Sequence, residues 1–324
     1  TSADFYRDGE KDWVQEKRSM LQKEASQAGS RAQEMLIDFR KRLGISPGFG
    51  IQALGGDFGN DYVFDQKYVT DNRIHTTAIT ASERVWIFYT DGKASTQQGS
   101  LSGGNRGHWY SGIKNPEYLS LGAATNGSGE FQAAAFNGSL AQIMVFDRVL
   151  SADEIKLGWQ QIAELDGLQF WLDASDLDAD PLTVNPAIGE NVDFWKDRIT
   201  GIQLSSIGNE RTPRLDVLPD STIPAVVFDG DFLRGSAEGL PFLKNKTGTL
   251  ITVFSSQDED ESYIFEVGGQ RQFVTTFVNP DASGEKTIEK IIATGTSDLI
   301  TTEEREEYLD LVSKSQYVNQ HLRR

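Results

Sequence analysis

No cysteine occurs in the 324 residues, and that one absence removes disulfides, thiol nucleophiles and thiolate metal sites together. The compartment is therefore not set by redox logic. Histidine is nearly absent as well: His75, His108 and His321 lie in separate segments with no spaced partner. A zinc site or a Ser-His-Asp triad can assemble from distant positions, so spacing alone excludes neither, yet ordinary surface or strand histidines are the expectation. No apolar run approaches the roughly 20 residues of a membrane helix, so no membrane span is expected. Basic residues are in deficit, 31 Lys and Arg against 48 Asp and Glu, for a net charge of -17. No Lys/Arg stripe is visible, which argues against nucleic acid as a partner. The excess acid reads as a solvated surface.

A hydrophobic content of 38% with 18 Phe supplies a core. The length suits about two domains or one large β-domain. Residues 8–43 are predicted as one helix, with Val14, Leu21, Ala25, Ala28, Ala32, Met35 and Phe39 on a seam that steps by 4 and 3 from Leu21 onward. That is the spacing of a coiled coil or of a helix lying on a partner. A seam rich in Ala lets backbones approach closely and wants a neighbour, in this chain or through self-association of a second one. Gly44 and Pro47 end the helix.

Short strands follow, expected at 50–54, 61–64, 75–81, 84–90, 118–122 and 139–146, with an Asp-Gly hairpin turn in "YTDGK". At Ser151 a capping box with Glu154, stapled by Leu150 and Ile155, starts a predicted helix of about fourteen residues. A second β-rich stretch carries strands expected at 168–172, 225–228, 249–255, 262–267 and 272–278. The tail is helical again, opened by Thr301 with Glu304 and given an apolar face by Tyr308, Leu311, Val312 and Tyr317. The expected divisions are 1–46 (helix), 47–166, 167–297 and 298–324 (helix).

Two sets of motifs share one family resemblance. "FNGSLAQIMVFDRVLSADEI" (136–155), with "RVWIFYTDGK" and "EYLSLGAATNG" upstream, resembles the closing half of a concanavalin A-like, laminin G-like jelly-roll domain. "LQFWLDASDL", "FWKDRITG", "PAVVFDGDFL" and "GTLITVF", in that order between 168 and 254, resemble its opening half. The expected fold is therefore mostly β, a concanavalin A-like jelly-roll sandwich with a long N-terminal helix and a C-terminal helix, its halves in reversed order. A half sandwich exposes an apolar face and open edges. The halves could close on each other as one permuted sandwich, stand as two trimmed domains, or complete halves in neighbouring chains. Chain beyond Thr1 and Arg324 carrying the missing halves is a fourth arrangement.

The fold hosts many activities. Its glucan-cleaving members carry a strand of alternating carboxylates, as a retaining mechanism requires, and no such strand is present. "DEDESYIFEVGG" (258–269) has four consecutive acids that crowd a loop instead. An enzyme is therefore not expected, and catalytic residues are assigned to none. In "SLSGGNRGHWYSG" (100–112) Trp109 and Tyr110 offer flat faces beside Asn105, Arg106 and His108, a combination suited to a sugar ring or a partner chain. The competing reading has an aromatic tucked under the loop as an anchor. Trp171 and Trp195 read as core. Asp173, Asp176, Asp178 and Asp180 in "DASDLDAD" are hard ligands spaced as a calcium loop would space them, without the Gly and terminal Glu of an EF-hand. Three Asn-x-Ser/Thr triplets occur, at Asn126, Asn137 and Asn245, and carry no inference about location.

The function expected from these readings is a non-catalytic, surface-exposed binding module for a carbohydrate or protein ligand, in adhesion or recognition. The resemblance, not composition, implies that ligand class. A structural subunit of an extracellular or viral assembly is the alternative, a polysaccharide-active enzyme the second. An extracellular, cell-surface or virion location follows from the same reading.

Overall fold

The structure is a computed structural model. It describes residues 48–321 except 56–59, 66, 68, 96–97, 126–130, 134, 207–211, 257–261, 270–271, 280–291 and 294–299, together with scattered positions between 19 and 39. The chain forms two compact units, one of residues 46–282 and one of 1–45 with 283–324.

In the larger unit the first half of the chain supplies β1 (Gly48–Leu54), β2 (Asn60–Asp65), β3 (His75–Ser82), β4 (Trp86–Thr90), β5 (Lys93–Ala94), β6 (Gln98–Ser102), β7 (Tyr118–Leu121), β8 (Ala124–Thr125), β9 (Phe131–Ala133) and β10 (Asn137–Phe146). The second half supplies β11 (Leu168–Asp173), β12 (Phe194–Lys196), β13 (Gln203–Ser206), β14 (Arg214–Val217), β15 (Pro224–Asp229), β16 (Leu233–Ser236), β17 (Thr247–Ser256), β18 (Ser262–Gly269) and β19 (Gln272–Asn279). Two large antiparallel sheets result, ordered β12-β13-β16-β7-β18-β19-β1-β2-β6 and β14-β15-β10-β17-β3-β4-β5, with β11 added alongside β10. The two halves are interleaved in both sheets. In the first, β7 sits between β16 and β18, and β1 pairs with β19; in the second, β10 pairs with β11, β15 and β17, and β17 with β3. The position between 166 and 167 is thus not a boundary between units.

The core lies between the sheets, where period-two alternation aims one face of each strand inward. Ile51 and Phe49 of β1, Leu119 and Leu121 of β7, Phe265 of β18 and Val274 of β19 meet Ile79 of β3, Phe88 of β4, Leu140, Ile143 and Val145 of β10, and Leu250 and Phe254 of β17. Strand β10 shows how sequence forces a local irregularity. Leu140 faces this core from an even position, but Ile143 and Val145 do so from odd ones, a change of parity that a regular strand cannot accommodate. A bulge between Leu140 and Gln142 supplies the missing residue. It falls where the neighbour on one edge changes from β15 to β11.

After the bulge, Met144 and Phe146 point to the opposite face of the sheet, where Ala78, Tyr89 and Ile251 also lie. Two short helices, α1 (Ala152–Ile155) and α2 (Trp159–Ile162), cover that face with Leu150, Ile155 and Ile162. The start of α1 has the predicted chemistry: Ser151 Oγ accepts from the Glu154 N–H at 3.3 Å, and Glu154 Oε2 accepts from the Ser151 N–H at 2.7 Å. Arg148 also donates to Glu154, and these contacts hold the Glu154 carboxyl down at about 2, with the Arg148 hydrogen bond the largest cause. The single fourteen-residue helix is corrected to two, because Gly158 is extended at φ -60, ψ 143 and interrupts it.

In the smaller unit every described position between 19 and 39 is helical, and the remainder of the predicted 8–43 helix lies outside the described residues. Ala25, Ala28, Ala32, Met35 and Phe39 of the seam are buried. Met35 and Phe39 pack with Ile292, Ile300, Tyr308 and Leu311, the last two on α3 (Thr302–His321). A neighbour for that end of the seam is therefore present in the same chain. Thr301 and Glu304 cap α3 reciprocally, at 2.9 and 3.2 Å.

Replacing Phe254, fully buried between the sheets, with alanine is expected to cost about 3–5 kcal/mol, whereas Ser151→Ala removes only a cap worth about 1 kcal/mol. Urea unfolding followed by tryptophan fluorescence checks the contrast; equal midpoints would contradict a core shared by both halves.

Candidate functional site

The 100–112 loop is built inward. Gly103 and Gly107 have φ of +62 and +65, and a Cβ at Gly107 would lie 2.4 Å from Val85 N, so the chain can turn there only without a side chain. Asn105 then acts as a strand partner for Trp86: its Oδ1 accepts from the Trp86 N–H, and its Nδ2 donates to Trp86 O at 2.8 Å. The Trp86 indole N–H donates to His108 O at 2.8 Å. Asp61, 1% exposed, accepts from the Gly104 N–H at 3.0 Å and has Arg106 Nε at 3.8 Å and His108 Nε2 at 3.2 Å. A carboxylate taken out of water needs such partners.

Trp109 and Tyr110 are 2% and 0% exposed. Tyr110 packs edge-on to Trp109 at 4.8 Å and to Phe242 at 5.0 Å, and a Cβ at Gly248 would meet the Trp109 ring at 2.5 Å. Burial alone pushes the Tyr110 phenol far above its ordinary range. The structure thus brings Asn105, Arg106, His108, Trp109 and Tyr110 together, but as an anchor: neither aromatic face reaches solvent. Only Arg106 among the five is largely exposed.

The aspartates of 173–180 form a turn organised by Arg198. Its Nη1 lies 2.9 Å from Asp173 Oδ2, its Nη2 lies 3.4 Å from Asp176 Oδ2, and its guanidinium sits 4.2 Å above the Trp171 ring. Asp173 also accepts from the Ser175 N–H and hydroxyl. Asp176 and Asp178 accept from the Asp180 N–H, Asp178 from Thr183 Oγ1, and Asp180 from the Leu182 N–H. Burial raises the Asp176 carboxyl above its ordinary value against the pull of Arg198. The carboxylates expected as calcium ligands thus accept from N–H, O–H and guanidinium groups within the turn. Among the described residues no group of three or more His, Asp or Glu side chains is placed to hold a metal ion.

Nearby, Asp197 explains the Trp-x-Asp motif. Fully buried, it accepts from the N–H groups of Trp171, Ile199 and Thr200 and from the Thr200 hydroxyl, tying β11 to the turn after β12. Trp195 is buried in the core, and Trp171 is half-buried under Arg198.

His75 lies between two carboxylates. Its Nε2 is 2.9 Å from Asp71 and its Nδ1 3.2 Å from Asp91, which also pairs with Lys67 at 2.9 Å. Burial opposes the imidazolium, but the hydrogen bonds and charges of Asp71 and Asp91 outweigh it and raise His75 to about 9. The same contacts outweigh burial at Asp91 and hold that carboxyl well below the usual range. With both ring nitrogens engaged, His75 clamps the loop before β3 to the β4–β5 turn and is not placed as a base. The acids of 258–261 and the His321 side chain lie outside the described residues.

A different feature faces solvent. Between β11 and β12 the chain runs through "DADPLTVNPAIGEN", where Leu182 and Val184 are 91% and 95% exposed. The backbone there is tied down. Asn185 Oδ1 accepts from the Leu177 N–H at 3.0 Å and its Nδ2 donates to Ala174 O at 3.1 Å, while Val192 N–H donates to Pro213 O at 2.7 Å and Gly189 N–H to Leu215 O at 2.8 Å. A well-bonded loop therefore holds apolar side chains out of the core. Beside them lies a cleft of about 150 Å³ lined by Val184, Pro186, Phe194, Asp178, Asn191 and Asp193, among others. Phe194 is 37% exposed at the edge strand β12. Sequence reasoning passed over these residues. The available signal was three large aliphatic residues, Leu182, Val184 and Ile188, among Pro, Asn and Gly, with neither helical nor strand periodicity to bury them.

No family model, curated protein or solved structure matches this chain.

Asn105→Ala strips partners from two backbone groups of Trp86 and is expected to lower stability by about 1–3 kcal/mol, measured by thermal melting. For His75 the folded value of about 9 stands above the ordinary histidine value of 6.5, so its stabilisation is complete below pH 6.5 and is lost as pH rises through 9. The wild type should lose more melting temperature than His75→Gln between those limits; parallel curves would remove the clamp from the account.

Proposed function

We propose that this chain is a non-catalytic recognition module, built on a concanavalin A-like jelly roll whose halves occur in reversed order, and that it holds its ligand at the rim between Leu177 and Phe194. The order of motifs supports the fold reading, together with the direct pairing of β19 with β1, from Gly48 opposite Asn279 to Leu54 opposite Phe273. In the unpermuted order those two strands would be joined as a hairpin, and the segment from Asp147 to Gly167 would be where that chain ends and begins.

The observation that carries the binding reading is the exposure of Leu182 and Val184 on a hydrogen-bonded loop beside a cleft. Apolar groups held in water cost free energy that burial against a ligand recovers, at about 25 cal/mol per Å². Elsewhere in the candidate sites the polar groups are already engaged: Asn105 on Trp86, Asp173 and Asp176 on Arg198, His75 on Asp71 and Asp91. Among the described residues the rim joins polar and apolar groups in solvent around a concavity. Burial of Met35 and Phe39 against Ile292, Ile300 and Tyr308 also weakens the assembly-subunit reading, which drew on an open helical seam.

The test is a paired glycan and peptide array probed with wild type and with Val184→Ser, a change at a 95% exposed position that leaves melting within about 0.5 kcal/mol of wild type. Binding of at least one ligand class should fall about fivefold or more in the variant. Ligands retained in full by the variant would move the site away from this rim.

A further inference from the structure

From Leu168 to Phe194 the chain carries six carboxylates, at Asp173, Asp176, Asp178, Asp180, Glu190 and Asp193, and no lysine or arginine. Arg198 pairs with the first two only. Two of the remaining four, Asp178 and Asp193, line the cleft, and among the described residues its lining includes no cationic side chain. The hydrogen bond from Thr183 holds the Asp178 carboxyl below its ordinary value, so it is charged at neutral pH. The cleft thus joins an apolar wall, Val184, Pro186 and Phe194, to an acidic edge, Asp178 and Asp193. Its volume of about 150 Å³ is about half the lower end of the ~300 Å³ typical of pockets that enclose a whole small molecule. That size suits a single side chain of a longer ligand lying across the rim.

We propose that the cleft docks a cationic, apolar peptide segment, one aliphatic side chain seated against Val184, Pro186 and Phe194 and flanking Lys or Arg groups meeting Asp178 and Asp193. This rests on the recognition reading above and narrows it to one ligand class. The net charge of -17 draws such a segment in from a distance, and the apolar wall supplies the selectivity that charge alone lacks. An acidic segment is repelled by the same edge, which also disfavours a second copy of this chain as the occupant.

The experiment uses the full chain and a fluorescein-labelled heptapeptide alternating lysine with leucine, followed by anisotropy. Control peptides carry glutamate for lysine or serine for leucine. The lysine–leucine peptide is expected to bind, and both controls to bind at least about fivefold more weakly. Val184→Ser and Phe194→Ser, which leave the net charge unchanged, should each weaken it about fivefold. Asp193→Asn should weaken it and flatten its salt dependence. Equal binding by wild type and Val184→Ser would show attraction to the acidic surface at large and overturn the proposal, as would equal binding of the glutamate peptide. A glycan whose binding is lost in Val184→Ser, with no peptide bound, would overturn the peptide assignment and leave the recognition reading standing. If no ligand of either kind depends on Val184, both fall.

Discussion

The packing of β10 constrains the rest of the larger unit. Its backbone is hydrogen-bonded on one edge to β17 and on the other to β15 and then β11, all from the second half of the chain. Its side chains are buried on both faces, by the inter-sheet core on one and by α1 and α2 on the other. An isolated first half would expose both edges of this strand, which invites pairing with other chains. The halves are therefore mutually required. The Ser151–Glu154 cap matters in the same setting, since it turns the chain back over the outer face at the point where β10 ends.

Interleaving also governs the polar chemistry. Strands that lie adjacent in space but far apart in sequence bring carboxylates to the edges of the sandwich, and several inward ones are matched to donors or cations: Asp61 to Gly104 and Arg106, Asp173 to Arg198 and Ser175, Asp197 to three backbone N–H groups. Desolvation makes an unmatched carboxylate costly. Groups that look reactive in a linear reading thus serve as ties between segments. What is left over is the 178–194 rim, where the loop backbone is tied down by hydrogen bonds while the apolar side chains of Leu182, Val184 and Ile188 stay in solvent.

The strands most legible in sequence were the long ones with apolar content, such as "IMVF" in β10 and "LITVF" in β17, and each of the eleven expected strands falls on an observed one. Those passed over, among them β12 (Phe194–Lys196), β13 (Gln203–Ser206) and β16 (Leu233–Ser236), are short; "QLSS" and "LRGS" acquire strand geometry only from a neighbour. Trp109 and Tyr110 were legible as a loop aromatic pair, but the direction in which they point was not. Gly107 and Gly248 decide that, one by allowing the turn and the other by leaving room for the indole. The aspartates of 173–180 matched cation-ligand spacing, yet Arg198, eighteen residues beyond Asp180, supplies the positive charge.

By itself the sequence determined the mostly β character, the caps at Ser151 and Thr301 and the net negative charge, because each depends on composition or on residues within a few positions of one another. The tertiary structure decided which groups remain free. Whether a side chain faces core, partner or solvent depends on segments distant in the chain, and only their pairing shows that Trp109 is buried while Val184 is not.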